Sequence, residues 1–321
     1  LKQTRAMENQ IKNDVLLRAI TAYLRVIQSR ESVKYAAQSV ANIKKQTELE
    51  DAAVTAGGGL TSDVLQAKTQ LAGAQARQIQ FEGVLSAAKH EFEYVFESFP
   101  KNLNSLLLLQ SVFDSLPKSL EEAEKLTLKK NPSLVAARIT EEISKEGINT
   151  AKATLFPTIK GIISHSEKQD FGGIVGFKRE SSAKVDFSYP LNLSLSEYAG
   201  KDAAVESYLA TSTRIRDQES MIKQMLRTTW DGLLTAQKNA QFLTNQARIS
   251  NEFLELARTE RQAGNRTLLD VLNGETAFIN AQADAIAARI EVLINSYTLL
   301  SLMGGLTLDS VQLIQPNNVE N

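Results

Sequence analysis

At 321 residues, with 36 Lys and Arg against 37 Asp and Glu and a net charge of -1, the chain could hold two ordinary domains and has no basic excess to mark a nucleic-acid partner. The absence of cysteine excludes a disulfide framework, a thiolate metal site and a Cys nucleophile, and two histidines, His90 and His165, leave little for a histidine-based centre. Only six prolines, with abundant Ala, Gln, Glu, Lys and Leu, fit long helices, because these side chains lose little freedom in a helix.

From about Gln10 to Ala53 the sequence is one helical pattern free of Gly and Pro. Val15, Ala19, Ala22, Val26, Ser29, Val33, Ala36, Val40 and Ile43 alternate spacings of four and three, a heptad seam whose small residues let neighbouring helices approach closely. At about 1.5 Å per residue such a helix is a rod of roughly 65 Å, too long for one small globular core. Gly57, Gly58 and Gly59 break it. Thr61 or Ser62 is expected to cap a second helix with Asp63 in its first turn, running to about Phe96 with Leu65, Thr69, Ala72, Ala76, Ile79 and Gly83 as its seam. The pair predicts an antiparallel helical hairpin.

Pro100 closes the hairpin, and 100–118 reads as an irregular connection. Ser119 and Glu122 form a capping-box pattern for a short helix ending at Asn131-Pro132, and Pro132 opens the next helix, which Pro157 stops. The period then changes from helix to strand. Ala183, Val185, Phe187, Tyr189, Leu191, Leu193 and Leu195 alternate with polar residues, so that one strand face is apolar and the other polar, and Thr158–Ser166 is a shorter partner strand joined to it by the Gly-containing segment 167–180. Helix resumes at Tyr198 and runs to about Gln262; Gly264 breaks it, and a last helix carries Leu272, Thr276, Ile279, Ala283, Ile286, Ile290, Leu293, Tyr297 and Leu300 as its seam. Gly304-Gly305 ends this helix, and 306–321 reads as a polar, weakly ordered tail. No apolar run exceeds a few residues, so no membrane-spanning helix is expected, whereas a β-barrel remains open because its strands are short and only alternately apolar.

The chain contains an internal duplication. Ala56-Gly57 and Asp63-Val64-Leu65 recur as Ala263-Gly264 and Asp270-Val271-Leu272, 207 residues later, and Trp230 falls where Tyr23 stands. Gly172-Gly173-Ile174-Val175-Gly176 lacks the Gly-Lys-Ser/Thr ending of a phosphate loop and reads as a strand turn. Neither histidine has a second ligand at metal spacing, so no catalytic, cofactor or metal site is expected. The expected class is mainly α with a small β part.

Paired helical hairpins with a Gly break before Asp-Val-Leu, an Asn-Pro helix start, a Leu-Phe-Pro-Thr entry to strands and a Tyr-Pro-Leu exit resemble the TolC-type outer-membrane efflux and secretion channel family over roughly residues 10–305. The resemblance implies a homotrimer in which strands of three chains close one β-barrel in outer-membrane lipid while the helices form a periplasmic α-barrel. It divides the chain into a first α-barrel hairpin (1–99), an equatorial connection (100–156), β-barrel strands (157–196), a second α-barrel hairpin (197–305) and a tail (306–321), with further N-terminal strands and a signal peptide expected outside this sequence. Val185, Phe187, Tyr189 and Leu191 are then membrane-strand residues.

In that family the Gly turns form the periplasmic tip, where the tube narrows and meets an adaptor protein. Carried over by position, Arg266 and Asp270 match tip residues that form gating ion pairs, Ser62-Asp63 match the corresponding site of the first hairpin, and Gly57 and Gly264 match the turns. Asn273 departs from the pattern where some members have a second acidic residue, and Arg261 stands where an aromatic gate residue occurs. The residues alone also allow Arg266 and Asp270 to be an i,i+4 pair stabilising a helix start. The tips look most like those of type I protein-secretion channels, which work with a periplasmic adaptor and an inner-membrane ABC transporter; drug-efflux channels with proton-driven pumps share the plan. A soluble coiled-coil scaffold or adaptor is the alternative of another class. The expected function is a passive duct without enzymatic activity.

Overall fold

In the computed structural model, residues 1–99, 102–173, 175–189 and 196–313 are described. Pro100, Pro190, Leu191, Leu193, Leu195 and Ile174, all named in the sequence reading, lie outside the described residues, as does the tail from 314 on. The elements are α1 (Lys2–Thr55), α2 (Thr61–Phe96), α3 (Leu120–Lys130), α4 (Pro132–Ala153), β1 (Thr158–Gln169), β2 (Phe177–Ser188), α5 (Ser196–Gln262) and α6 (Leu268–Leu302). The chain folds as two compact units, one of residues 1–3 and 134–219, the other of residues 4–133 and 220–321.

The larger unit is a helical bundle whose elements repeat as the sequence does. Thr55 and Gln262 end α1 and α5, Thr61 and Leu268 begin α2 and α6, and each pair is 207 residues apart. The turns repeat bond for bond. Gly57 and Gly264 sit at φ 81° and 77°. Gly57 N–H donates to Val54 O and Gly58 N–H to Ala53 O; Gly264 N–H donates to Arg261 O and Asn265 N–H to Glu260 O, all at 2.9–3.0 Å. This is the Schellman closure, which needs a left-handed residue after the helix and therefore favours glycine.

Heptad seams hold the bundle. On α5, Leu233, Ala236, Ala247, Leu254 and Ala257 are buried, at spacings that continue one 3.5-residue repeat. On α6 the predicted seam is buried or half-buried at every position. On α1 the seam needs correction. Ala22, Val26, Ser29, Ala36 and Ile43 are buried, but Val15 is exposed, and the seam passes through Ser32, Ser39 and Thr47 rather than Val33 and Val40. Hydroxyls serve there because they bond inside their own helix: Ser29 to Arg25 O, Ser32 to Gln28 O and Thr47 to Ile43 O, at 2.8–3.1 Å. A small side chain whose donor is already satisfied fills a narrow seam without leaving a buried polar group unpaired.

The expected α2 seam is wrong by one helix face. Leu65 and Ile79 are 62% and 68% exposed, while Val64, Ala67, Ala88 and Phe92 are buried and Leu71 and Ala74 half-buried between them. Both stripes have heptad spacing, and the one chosen meets Ile43 of α1 with Leu268 and Leu272 of α6. The cap prediction also fails, since α2 begins after Leu60 without a side-chain cap. Ser119 does cap α3, accepting from Glu122 N–H at 3.3 Å.

A second cluster gathers α1, α3, α5 and α6 around Tyr297, Leu24 and Leu226, with Tyr23 and Trp230, the two repeat-related aromatics, packed against it. The irregular segment after α2 is tied down through its carbonyls. Tyr23 Oη–H donates to Leu107 O (2.7 Å), Tyr297 Oη–H to Gln110 O (3.0 Å), and Arg30 Nη1–H to Leu103 O (2.6 Å). The expected free tail is corrected by the same region. Leu306 is buried, Gln110 N–H donates to Gln312 O (2.8 Å), and Leu313 bridges Leu109, because the apolar pattern at Leu306 and Val311 continues the cluster. Among the described residues α6 is long and apolar enough, by length and composition, to cross a membrane, but about half of its most apolar stretch is buried within the chain, as in a core helix of a bundle. Its Ala, Ile and Leu are interrupted by charges, so counting consecutive apolar residues misses it.

The smaller unit contains the antiparallel hairpin β1–β2, paired from Thr158↔Ser188 to Gln169↔Phe177. Both strands differ from expectation: β1 continues past Ser166, and β2 begins at Phe177, inside the stretch read as a connection, and is described only to Ser188. Polar tip residues such as Glu167 and Arg179 break the alternation that marks the strands in the sequence. The reversal uses Asp170, whose N–H donates to Gly176 O (2.9 Å) while its carboxylate accepts from Gly176 N–H (2.7 Å).

Two stability predictions follow from this packing. A Cβ at Gly304 (φ 68°) would stand 2.2 Å from Lys130 O, whereas one at Gly58 would meet nothing closer than 3.8 Å. Gly304→Ala is expected to destabilise the fold by about 1–3 kcal/mol or more and Gly58→Ala by clearly less, read as thermal midpoints. Burial raises the Tyr23 and Tyr297 phenols above their ordinary value. The folded state therefore keeps them protonated to higher pH than the unfolded chain, so their contribution is complete below about pH 10 and lost as pH rises through the folded-state values. Alkaline unfolding is expected to shift upward in Tyr297→Phe relative to its own neutral stability.

Candidate functional site

The two Schellman turns and the first turns of α2 and α6 form the candidate site. Packing of Ala67 with Ile43, Leu268 and Leu272 brings the starts of both second helices against α1. Thr267 caps α6, accepting from Asp270 N–H at 3.3 Å, which fixes Asp270 in the first turn. Ser62 and Asn273 are exposed and Asp63 and Asp270 half-buried. Among the described residues these four side chains have no ion pair.

Arg266 does not pair with Asp270. Its Nε donates to Glu260 Oε2 at 2.6 Å and its guanidinium lies 5.2 Å from the ring centre of Phe253. The Gly264 turn reverses the chain, so Arg266 runs back along α5 instead of forward along α6. Arg261 is engaged as well: Nη1–H donates to Arg266 O (3.3 Å), and Nη2–H reaches Glu50 Oε1 of α1 at 2.5 Å. One turn deeper, Glu275 of α6, 4% exposed, accepts from Asn42 Nδ2 of α1 (2.8 Å) and pairs with Arg258 of α5 (2.5 Å). A buried carboxylate is tolerable when a cation and hydrogen bonds satisfy it. Arg258 also pairs with Glu255 at 2.7 Å, and a cavity of about 290 Å³ opens beside Asn42, Gln46, Leu49, Gln262 and Glu275. The first hairpin is braced by Lys68–Asp51 (3.2 Å), and Arg77 of α2 bonds Asn280 of α6.

Glu50, Glu260, Arg258, Asn42 and Glu275 are absent from the sequence reading. For Glu275 a signal existed: it lies three residues after Leu272, on the same helix face, so a charge adjoins an apolar seam. Glu50 carries no such mark, since only the docking of α5 on α1 brings Arg261 to it.

The membrane-strand candidates form a surface of the smaller unit. Pairings Ile159↔Phe187, Gly161↔Val185 and Ile163↔Ala183 put Ile159, Ile163, Val185 and Phe187 on one hairpin face, each 67–89% exposed, and Tyr189 follows β2 half-exposed. Farther along that face the character changes to His165, Glu167, Ser181 and Arg179, where His165 Nδ1 lies 2.8 Å from Ser181 Oγ and Arg179 Nε 2.9 Å from Glu167. His90 is exposed on α2, 4.0 Å from Glu93.

A family model described as outer membrane efflux protein matches residues 125–305. The outer membrane efflux protein BepC of Brucella suis biovar 1 (strain 1330) is 24% identical over 97% of this chain and 68% of its own length. The alkaline protease secretion protein AprF of Pseudomonas aeruginosa is 21% identical over 87% of this chain and 59% of its own length. The chain thus spans about three fifths to two thirds of these relatives. Among solved structures, the outer-membrane channel OprN superposes with a TM-score of 0.79 at 20% identity, covering 95% of this chain and 69% of that one. Family, duplicated helical hairpins and strand pair agree with the resemblance carried by the tip and strand motifs. The chain belongs to the outer membrane efflux protein family, a family of outer-membrane channels, and its place is the outer membrane.

Proposed function

We propose that this chain forms the passive export duct of a tripartite system, as a homotrimer whose 1–99 and 197–305 hairpins build an α-barrel, whose 157–196 strands enter the membrane barrel, and whose 100–156 segment forms the equator. The observation that carries the reading is apolar heptad surface left uncovered within the chain. Leu65 and Ile79 on α2 form one such stripe, and Phe242, Ile249 and Leu256 on α5, 50–70% exposed at seven-residue intervals, form another. Heptad stripes on rods call for neighbouring rods, and a cyclic arrangement of copies supplies them without open ends. The exposed apolar face of β1–β2 argues against a soluble scaffold, which has no use for it, and suits outer-membrane lipid.

Within this plan the tips are the gate and adaptor contact. Gly57 and Gly264 supply the turns, Ser62, Asp63, Asp270 and Asn273 the outward polar groups, and Arg266 braces its own turn through Glu260. The Arg261–Glu50 and Arg258–Glu275–Asn42 ties join α5 and α6 to α1, so opening that moves α5 and α6 against α1 has to break them. Asn273, uncharged, leaves only Asp270 of the two acidic positions, which does not favour a cation-binding ring.

The cargo reading we favour is type I protein secretion with an ABC transporter and a periplasmic adaptor. It is supported by the tip sequences Gly-Gly-Leu-Thr-Ser-Asp-Val and Gly-Asn-Arg-Thr-Leu-Leu-Asp-Val-Leu and by the name of AprF. The name of BepC favours the second reading, small-molecule efflux through a proton-driven pump.

The full-length protein is expected to need detergent and to run as a stable trimer; a soluble monomer would end the duct reading. Deleting its gene should abolish release of a large polypeptide into the medium under secretion, whereas sensitisation to small toxic compounds with secretion intact would select efflux. In planar bilayers, Arg261→Ala and Glu50→Ala should each raise conductance, and Arg266→Ala less so. Unchanged conductance in the first two would leave the tie a purely structural role.

A further inference from the structure

The duplication leaves one helix face covered and its mate bare. Leu272 of α6 is 1% exposed and clusters with Ile43 of α1, whereas Leu65, 207 residues earlier on α2, is 62% exposed. Ile279 is buried and shares a cavity with Ala36 and Ser39 of α1, whereas its mate Ala72 is exposed. Leu65, Thr69, Ala72, Ala76, Ile79 and Gly83 form an unbroken heptad seam along α2, and every member of it is exposed. On α6 the helix that covers this face is α1, and the other copy of the α1 pattern is α5. The exposed Ile249 and Leu256 of α5 are the mates of Asn42 and Leu49, which line the cavity beside Glu275 where α1 meets α6.

The charges at these positions recur with their signs reversed. Arg258–Glu275 (2.5 Å) ties α5 to α6, and at the mated positions Asp51–Lys68 (3.2 Å) ties α1 to α2. Lys45 of α1 lines the same cavity as Glu275, and the mates of these two are Glu252 of α5 and Lys68 of α2. We propose that α2 of one copy packs antiparallel on α5 of a second copy, with Leu65 beside Ser250, Ala72 beside Gln246 and Lys68 facing Glu252. This pairing rests on the duct reading above and deepens it by naming the faces through which neighbouring copies meet. Each contact is the repeat mate of one within the chain: Leu272 with Ile43, Ile279 with Ser39, and Glu275 opposite Lys45. Lys68 and Glu252 are 56% and 61% exposed, so each can reach a neighbour while keeping its own partner, Asp51 or Arg248. The sign reversal also rejects wrong pairings. Seating α2 on α1 of another copy would set Lys68 against Lys45, and seating α6 on α5 of another copy would set Glu275 against Glu252. Junctions within a copy and between copies then alternate around a closed ring.

The sequence contains no cysteine, so introduced pairs report contact directly. In detergent-solubilised trimers of the full-length protein, Leu65→Cys combined with Ser250→Cys should oxidise with copper phenanthroline to covalent dimers and trimers on denaturing gels. Either single variant should give none. Lys68→Glu and Glu252→Lys should each lower the temperature at which the trimer dissociates, and the double swap should recover most of that loss. Recovery reports contact between copies, because the double swap still leaves Glu at 68 beside Asp51 and Lys at 252 beside Arg248. Trimers of the cysteine pair that give no covalent species, or charge-swap losses that simply add, would overturn this seam. A wild-type protein that forms no trimer would overturn the duct reading instead.

Discussion

Close approach of long helices along narrow seams is the constraint on which the larger unit depends. Ala22, Ser29, Ser32, Ala36 and Ser39 on α1 and Ala236, Ala247 and Ala257 on α5 are buried where bulky residues would hold the rods apart. Packing between such surfaces depends on many weak dispersion contacts at near-ideal distance, so a small gap costs much of the attraction. The hydroxyls of Ser29, Ser32 and Thr47 return to the carbonyl four residues before them in their own helix, so these donors are satisfied within the seam. The bulky residues gather instead around Tyr297, Leu24 and Leu226, where α1, α3, α5 and α6 converge with the irregular segment. That segment is ordered because its carbonyls accept from Tyr23, Tyr297 and Arg30, so its lack of regular structure leaves few unpaired backbone groups.

The same narrow seams leave polar groups as the specific ties between rods. Apolar heptads permit sliding by one turn, since each knob finds an equivalent hole, whereas Arg258–Glu275–Asn42 and Arg261–Glu50 fit one register only. Breaking such a pair leaves an uncompensated charge, which makes the register of the three helices discrete.

The strand hairpin follows a different rule. Its two faces are distinguished by alternation, and the burial that would normally separate inside from outside is absent within the chain, since Ile163 and Val185 are 89% and 75% exposed. A two-stranded ribbon is marginal in water, so the apolar face and the open strand edges both call for partners outside the hairpin.

The sequence by itself determined the duplication, the turn positions and the helix ends, because glycine after a helix and a 207-residue repeat are local facts that no packing partner alters. It also marked the seam of α6 and the polar and apolar alternation of β2 through Val185 and Phe187. Tertiary structure alone decided which of two heptad faces of α2 is buried, since Val64 and Leu65 both satisfy the period and only contact with Ile43, Leu268 and Leu272 separates them. It likewise gave Arg266 to Glu260 and not to Asp270, and brought Glu50 to Arg261 across 211 positions. Periodicity fixes which residues share a face, while the partner of a long charged side chain depends on where the backbone goes after the turn.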